Sequence, residues 1–286
     1  MPQTINTNLN SLNAQRNLSS SQSSLSMSMQ RLSSGLRVNS AKDDAAGLSI
    51  AERMTSQVRG MNVSIRNAND GISMAQTAEG ALGKVTDSLQ RMRELSVQAA
   101  NATNSNSDKD SLDKEFGELA KEIQRVLGGT AFNGQHMLGT DAKAFTFQVG
   151  ANTTSNDTID ITTTDLTADA NITAVAGDNT GAGRAVIDNT APALTIQGVI
   201  DKIDVAISTV NDKRAVLGAS QSRFDSVITN LQIGVENQTA ARSRIMDTDF
   251  AAETANLSRA QILQQAGNAM VAQANQLPQQ VLTLLR

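Results

Sequence analysis

The chain has 286 residues, a net charge of −4, six Phe and no Cys, Trp or Tyr. Its length allows about two domains, and with so few aromatics the core has to come from Leu, Ile, Val, Met and Ala. Without Cys there is no disulfide, thiol chemistry or Cys-ligated metal, and the mild negative charge draws the chain to neither nucleic acid nor an anionic membrane.

Residues 1–30 carry a single charge, Arg16. Ile5, Leu9 and Leu12 open a helical stripe. Leu18, Leu25 and Leu32 then recur every seven residues, with Met29 and Leu36 four behind. Residues 1–20 lack the apolar run of a cleavable signal peptide, so any exit from the cell is expected to use another route. Gly35, Asn39 and Ser40 break the pattern, and 34–44 reads as a connector.

A long helix is predicted from about 45 to 100, roughly 80 Å at 1.5 Å per residue. Ala51, Val58, Ile65 and Ile72 form one row, broken at Glu79 and Thr86; Met54, Met61, Ala68, Ala75, Leu82 and Leu89 form the other. The Met residues of this stripe read as core packing. The polar run at 101–108 ends the helix. A shorter one follows, with Leu112, Phe116, Leu119, Ile123 and Val126 on one face, and Gly128-Gly129 stops it.

Apolar and polar residues then alternate over 145–149 and 158–162 across a turn-rich stretch, which predicts a β-hairpin. Residues 165–193 are rich in Thr, Ala, Asp, Asn and Gly with weak periodicity, and are expected to form an exposed excursion. Helix returns near 194. Ile203, Val210, Leu217, Phe224, Leu231 and Ile245 share a seven-residue row in which Gln238 is the polar member. A second connector is expected at 243–254.

The last helix has no charge over the 26 residues 260–285, nine of which are Gln or Asn. Leu263, Met270, Leu277 and Leu284 fall seven apart, with Gly267, Ala274 and Val281 four behind the first three. That is a seam made to lie along another helix. A membrane span would not hold nine amides, and a solitary surface helix would carry Lys and Glu. The two ends of the chain therefore share one character, and the expectation is that they pair with each other and with other copies.

The expected architecture is mainly α: nested long antiparallel helices in a coiled-coil-like bundle, with a small β-hairpin region and a short variable excursion. The terminal helices 1–33 and 255–286 form one domain. Residues 45–164 and 194–242 form the inner helical domain, and 34–44 and 243–254 connect the two. Chemistry is scarce. His136 is the sole histidine, so no His-based metal cluster or triad can form. Asp43, Asp44, Asp247 and Asp249 sit in the connectors, where an electrostatic role facing Arg37, Lys42, Arg242 and Arg244 is expected. No enzyme activity and no cofactor are expected.

Residues 30–54 (QRLSSGLRVNSAKDDAAGLSIAERM), 90–101 (QRMRELSVQAAN), 132–138 (FNGQHML) and 243–285 (SRIMDTDFAAETANLSRAQILQQAGNAMVAQANQLPQQVLTLL) resemble the signature stretches of bacterial flagellin. The likeness covers roughly 1–150 and 195–286. It implies a filament subunit used for swimming, exported unfolded by the flagellar type III apparatus with an export chaperone and assembled outside the cell beneath a filament cap. Hook-associated proteins would be its other neighbours. The ends would form the inner tube, through Leu9, Leu12, Leu18, Leu25, Leu32, Leu263, Met270, Leu277, Val281 and Leu284. The connectors, with Arg37, Lys42, Asp43, Asp44, Asp247 and Asp249, would form spokes. The resemblance also implies recognition by the vertebrate innate flagellin receptor through Arg91, Leu95 and Glu115. Neither nucleic acid nor a membrane is implied as a partner.

Overall fold

The computed structural model describes residues 7–178 and 180–283, with side chains up to Gln276. In chain order the elements are α1 (Leu9–Ser34), α2 (Ala45–Ala99), α3 (Asn106–Gly129), β1 (Ala131–Phe132), β2 (Gln135–His136), β3 (Ala144–Gln148), β4 (Thr158–Thr162), α4 (Ala170–Ala176), α5 (Ala193–Met246) and α6 (Phe250–Thr283). The described chain is mainly α with two short antiparallel strand pairs, β1–β2 and β3–β4; the periodicities predict the helices and the second pair. It divides into two compact units, one made of Met1–Gln57 and Glu236–Arg286, the other of Val58–Val235.

The second unit holds the main core. Leu82, Val85, Leu89, Met92 and Leu95 of α2 are buried with Phe116, Ile123 and Leu127 of α3 and with Ile203, Val210, Leu217 and Phe224 of α5. These residues follow the helical stripes of the sequence, because one apolar face per helix is what a helix has to bury. Phe224 is the keystone. Its ring meets Phe147 of β3 edge-on at 5.6 Å, and it lies so close over α2 that a Cβ on Gly71 would stand 2.7 Å from its Cζ. β3 pairs antiparallel with β4, Phe145 opposite Ile161 and Phe147 opposite Ile159, which turns the apolar members of both strands to the same side. The capping box of Ser105 and Asp108 starts α3, and the hydroxyl and backbone N–H of Ser105 hold the Asp108 carboxyl below its ordinary pKa.

Two stretches depart from the sequence reading. Residues 165–193 do not form an exposed excursion. α4 forms within them, capped by the Asp169 side chain on the Asn171 N–H. Ile172, Val175, Ala176 and Ile187 are buried in the main core. The rest is shaped by a repeated Asp-x-Thr turn: in Asp165/Thr167, Asp178/Thr180 and Asp188/Thr190 the carboxylate accepts both the N–H and the hydroxyl of the threonine. Such turns satisfy the backbone without helix or sheet. α3 holds this strap with side chains. Asp113 accepts two bonds from the Arg184 guanidinium, at 2.9 and 2.5 Å, and one from the Ile187 N–H. Asp110 accepts the Asn189 N–H, and Gln124 donates to the Gly177 carbonyl. Gly177 has φ 73°, and a Cβ there would meet the Ala182 carbonyl at 2.7 Å.

The second departure is the connector expected at 243–254. α5 runs on to Met246 and α6 begins at Phe250, so only Asp247, Thr248 and Asp249 lie outside helix. Neither Gly nor Pro interrupts 243–254, and the side chain of Asp249 supplies the cap that restarts helix, accepting from the Ala251 and Ala252 N–H groups.

Candidate assembly surface

The first unit is organised around the antiparallel pair α1–α6. Its contact rows have the seven-residue spacing of the sequence, but small residues fill them. On α6 the row is Glu253, Ala260, Gly267 and Ala274, with half-buried Leu257, Gln264 and Val271 four behind the first three; on α1 Ser11 and Ser28 are the buried members, with Leu18, Leu25 and Leu32 half-buried. Gly267 sets the approach, since a Cβ there would lie 3.1 Å from Cδ1 of Leu18. The far end is pinned by polar contacts. The Asn8 side chain caps α1 at the Ser11 N–H and donates to the Ala274 carbonyl, while the Ser11 hydroxyl donates to the Asn275 side chain. At the other end Arg31 approaches the buried Glu253 carboxylate at 3.9 Å.

Other large apolar residues of these helices turn outward. Leu9 is 68% exposed, Met29 57% and Met270 61%; Leu12, Met27, Ile262 and Leu263 are exposed as well. Of the expected seam, therefore, the Gly267–Ala274 row meets α1 and the Leu263–Met270 row does not. That second row borders an open groove of about 690 Å³, whose other wall includes Ala14, Leu18 and Ser21. Leu277 and Val281 fall within α6, but their side chains, and Leu284 and Ile5 altogether, lie outside the described residues.

Between α1 and α2, and between α5 and α6, the chain makes a small joint. Gly35 takes φ 72° at the end of α1, where its N–H returns to the Arg31 carbonyl. Leu36 then pairs with Asp247 as an isolated antiparallel bridge. The Arg37 guanidinium donates to the Ile245 carbonyl and the Thr248 N–H to the Gly35 carbonyl. Val38, Ala51 and Met246 form a buried cluster beneath. The connector carboxylates bond to donors beside them, Asp43, Asp44 and Asp249 to backbone N–H groups and Asp247 to a hydroxyl. Asp43 accepts the Asn39 and Ser40 N–H groups and the Ser40 hydroxyl. These bonds, the Ser40 backbone bond first, hold its pKa below the ordinary value, and the field of Arg31 is the weakest contributor. Asp44 accepts the Gly47 N–H, and Asp247 the Ser243 hydroxyl. Short Asp side chains reach backbone donors beside them at lower entropic cost than long cations across a loop. Lys42 is exposed.

On the inner helices, Arg91 and Glu115 do come together. The Arg91 guanidinium meets Glu115 at 2.9 Å and Glu94 at 2.9 Å, and all three side chains are about half exposed or more. Leu95 is corrected: at 1% exposure it belongs to the core. It falls three residues after buried Met92 and four before buried Ala99, which puts it on the inward face of α2. Sequence reasoning named the Gly267–Ala274 row but missed its continuation to Ala260 and Glu253 and the Arg31–Glu253 pair. The row 260/267/274 was legible as a heptad of small residues, with Glu253 one heptad before it.

Among the described residues no group of three or more His, Asp or Glu could hold a metal ion, and no helix is long and apolar enough to cross a membrane. The fold and surface define a helical structural subunit whose terminal helices pack thinly on each other and expose their large apolar side chains. The model of the bacterial flagellin N-terminal helical region matches residues 5–142, and that of the C-terminal helical region residues 200–285. A flagellin of Halalkalibacterium halodurans is 45% identical over 282 residues, covering 99% of both chains. One of Bacillus subtilis is 42% identical over 304 residues, again 99% of both. A solved structure assigned as a flagellar hook-associated protein from Vibrio parahaemolyticus shares the fold at TM-score 0.62 and 14% identity, over 72% of this chain and all of that one. The chain belongs to the bacterial flagellin family. It is accordingly a structural subunit of the flagellar filament and not an enzyme.

Proposed function

We propose that the exposed apolar rows of α1 and α6 are the surface through which copies of this chain join in the filament. In that reading the terminal helices line the inner tube, the joint around Gly35 and Asp247 is the spoke, the inner helices form the next shell and the strap 165–193 faces outward. The observation that carries it is the outward placement of Leu9, Leu12, Met29, Leu263 and Met270 on helices almost free of charge. Each such side chain gains about 1.5–3 kcal/mol when fully covered, and a lone soluble chain has no use for so many left open. The partner supported by this surface is another copy, since the exposed rows match in chemistry. Seeded assembly in a precipitating salt, followed by electron microscopy, tests it: a Leu263→Asp/Met270→Asp double variant is expected to stay monomeric, and normal filaments from it would overturn the reading.

The filament serves swimming motility, and the chain reaches it through the flagellar type III apparatus with an export chaperone, passing the hook-associated proteins and cap. The family resemblance supports these steps. It also supports a site for the vertebrate innate flagellin receptor at Arg91 and Glu115, whose exposed, mutually fixed charges suit a protein partner. Leu95 supports the site from beneath. Arg91→Ala alone is expected to lower receptor signalling with the monomer fully folded, because the exposed pair contributes at most about 1 kcal/mol to stability. Leu95→Ala would lose about 2–5 kcal/mol of stability from a core cavity, which confounds the assay. An unchanged dose response of Arg91→Ala would remove this site.

A further inference from the structure

The exposed methionines all lie in the first unit. Nine lie among the described residues, and three of them, Met27, Met29 and Met270, are exposed, all on α1 or α6. In the other unit Met74, Met92 and Met137 are buried, as is Met246 in the joint cluster. Met54 and Met61 are half-buried. Thioether oxidation follows exposure, so the division sorts the methionines into reactive and protected sets, and every member of the reactive set lies on the surface assigned above to assembly.

We propose that Met27, Met29 and Met270 are oxidation sites that switch off assembly, a proposal that rests on that assignment. The reaction needs a peroxide and nothing else. A sulfur lone pair attacks one peroxide oxygen, the O–O bond breaks, and a new S–O bond forms. The thioether is oxidised by two electrons to the sulfoxide, while the peroxide is reduced and leaves as water after taking up the proton. The product carries a strong dipole where a flexible apolar chain stood. In the free subunit that dipole is solvated and costs nothing. In a contact between copies it is buried without a partner, and each sulfoxide is expected to weaken the contact by about tenfold or more. Once a neighbouring copy covers these sulfurs the reaction slows, so subunits are vulnerable before incorporation and protected after it.

The test treats full-length monomer with graded hydrogen peroxide, maps added oxygen by peptide mass spectrometry, and then measures seeded assembly against each protein's own untreated sample. Met27, Met29 and Met270 are expected to oxidise before Met74, Met92 and Met137, and assembly is expected to fall in step with them. Methionine sulfoxide reductases of both stereospecificities are expected to restore it. The Met27→Leu/Met29→Leu/Met270→Leu variant is expected to keep, after peroxide, whatever assembly it shows before. Wild-type subunits oxidised at the three sites that assemble at an unchanged rate overturn the proposal, as does loss of assembly that the reductases fail to reverse. Untreated Leu263→Asp monomer separates the two ideas. If it assembles normally the surface assignment falls. If it does not, while oxidised wild type still assembles, only the oxidation proposal falls.

Discussion

The two units of this chain spend the same side chains in opposite ways. In Val58–Val235 the large residues build a core, with Leu82, Leu89, Phe116, Ile123 and Phe224 all fully buried, while Leu194, Val205, Val216 and Ile233 are exposed and charged pairs such as Arg93–Asp204 and Arg91–Glu115 lie on the outside. In α1 and α6 the most buried positions are Ser11, Ser28, Glu253, Ala260 and Ala274, Leu18, Leu25 and Leu32 are half-buried beside them, and Leu9, Met29 and Met270 face out. Burial of apolar area drives folding, so the first arrangement stabilises the chain by itself. The second leaves most of its driving force unused until something covers it. Small interior residues also let α1 and α6 approach closely, which makes the pair thin enough to present both helices to neighbours. The lesson is that a heptad row marks a helix face, while residue size separates the row that meets the partner helix of the same chain from the row that does not.

That contrast predicts a ladder of effects on the isolated subunit, and the top rung lies at Phe224. Phe224→Ala empties the space between Gly71 of α2 and Phe147 of β3 and is expected to cost about 3–5 kcal/mol, seen as a lowered thermal midpoint by circular dichroism. An unmoved midpoint would mean the inner unit is not held by this core.

The strap gives the next rung. Asp113→Asn removes the charge that Arg184 and the Ile187 N–H share, with an expected cost of about 1.5–3 kcal/mol. The loss should appear as faster amide exchange over 180–190. The same carboxylate gives the strap a pH dependence. Burial alone would raise its pKa, but the bonds from Arg184 and Ile187 outweigh burial and hold it below the ordinary carboxylate range. A group whose pKa is depressed on folding lends its full stability above the unfolded value, about 3.9 for Asp, and loses it as pH falls through the folded one. Exchange in the strap should therefore quicken below about pH 4 in the wild type and show no such step in Asp113→Asn.

Much of the inner unit was legible in the chain because its partners are local to it. The rows through Leu82 and Leu89, and through Ile203, Val210, Leu217 and Phe224, predict the faces that are buried. The alternation at 145–149 predicts β3. Residues 165–193 misled for a physical reason. Three buried residues, Ile172, Val175 and Ala176, have helical spacing, but Thr, Asp and Asn around them mask it, and the Asp-x-Thr turns that fold the rest leave no hydrophobic period. The signal that was there is the repeated Asp-x-Thr itself. Likewise Asn133-Gly134, with φ 49° and 80°, makes the tight turn between β1 and β2, as that dipeptide commonly does. The terminal surface was legible as a seam but not as a direction. Rows 263/270 and 267/274 are both periodic, and the choice between them depends on which row α1 accepts, with Gly267 set against Leu18.

The lowest rung on the stability ladder is the one that separates the units most sharply. Leu263 is half exposed on α6 and borders the groove shared with α1, so Leu263→Asp places a carboxylate in water in the free subunit. Surface substitutions of this kind usually change stability by no more than about 0.5 kcal/mol, and the thermal midpoint should barely move. Assembly should respond in the opposite sense. Residues 260–285 carry no charge at all, and the cations beside the new carboxylate are Arg259, one turn back on α6, and Arg31, which border a groove together with Leu263. Covering a charge with a neighbouring copy is costly even when it is partly paired, and each copy in the assembly bears that cost. Leu263→Asn carries the same shape without the charge and is expected to assemble poorly but measurably, because an amide can bond to the Gln and Asn side chains around it. Filament yield after seeding, read beside the melting curve, decides the matter. A variant that melts like the wild type and still forms filaments at the normal rate would show that the outward rows of α6 meet solvent in the filament, and that the contrast between the two units has some other cause.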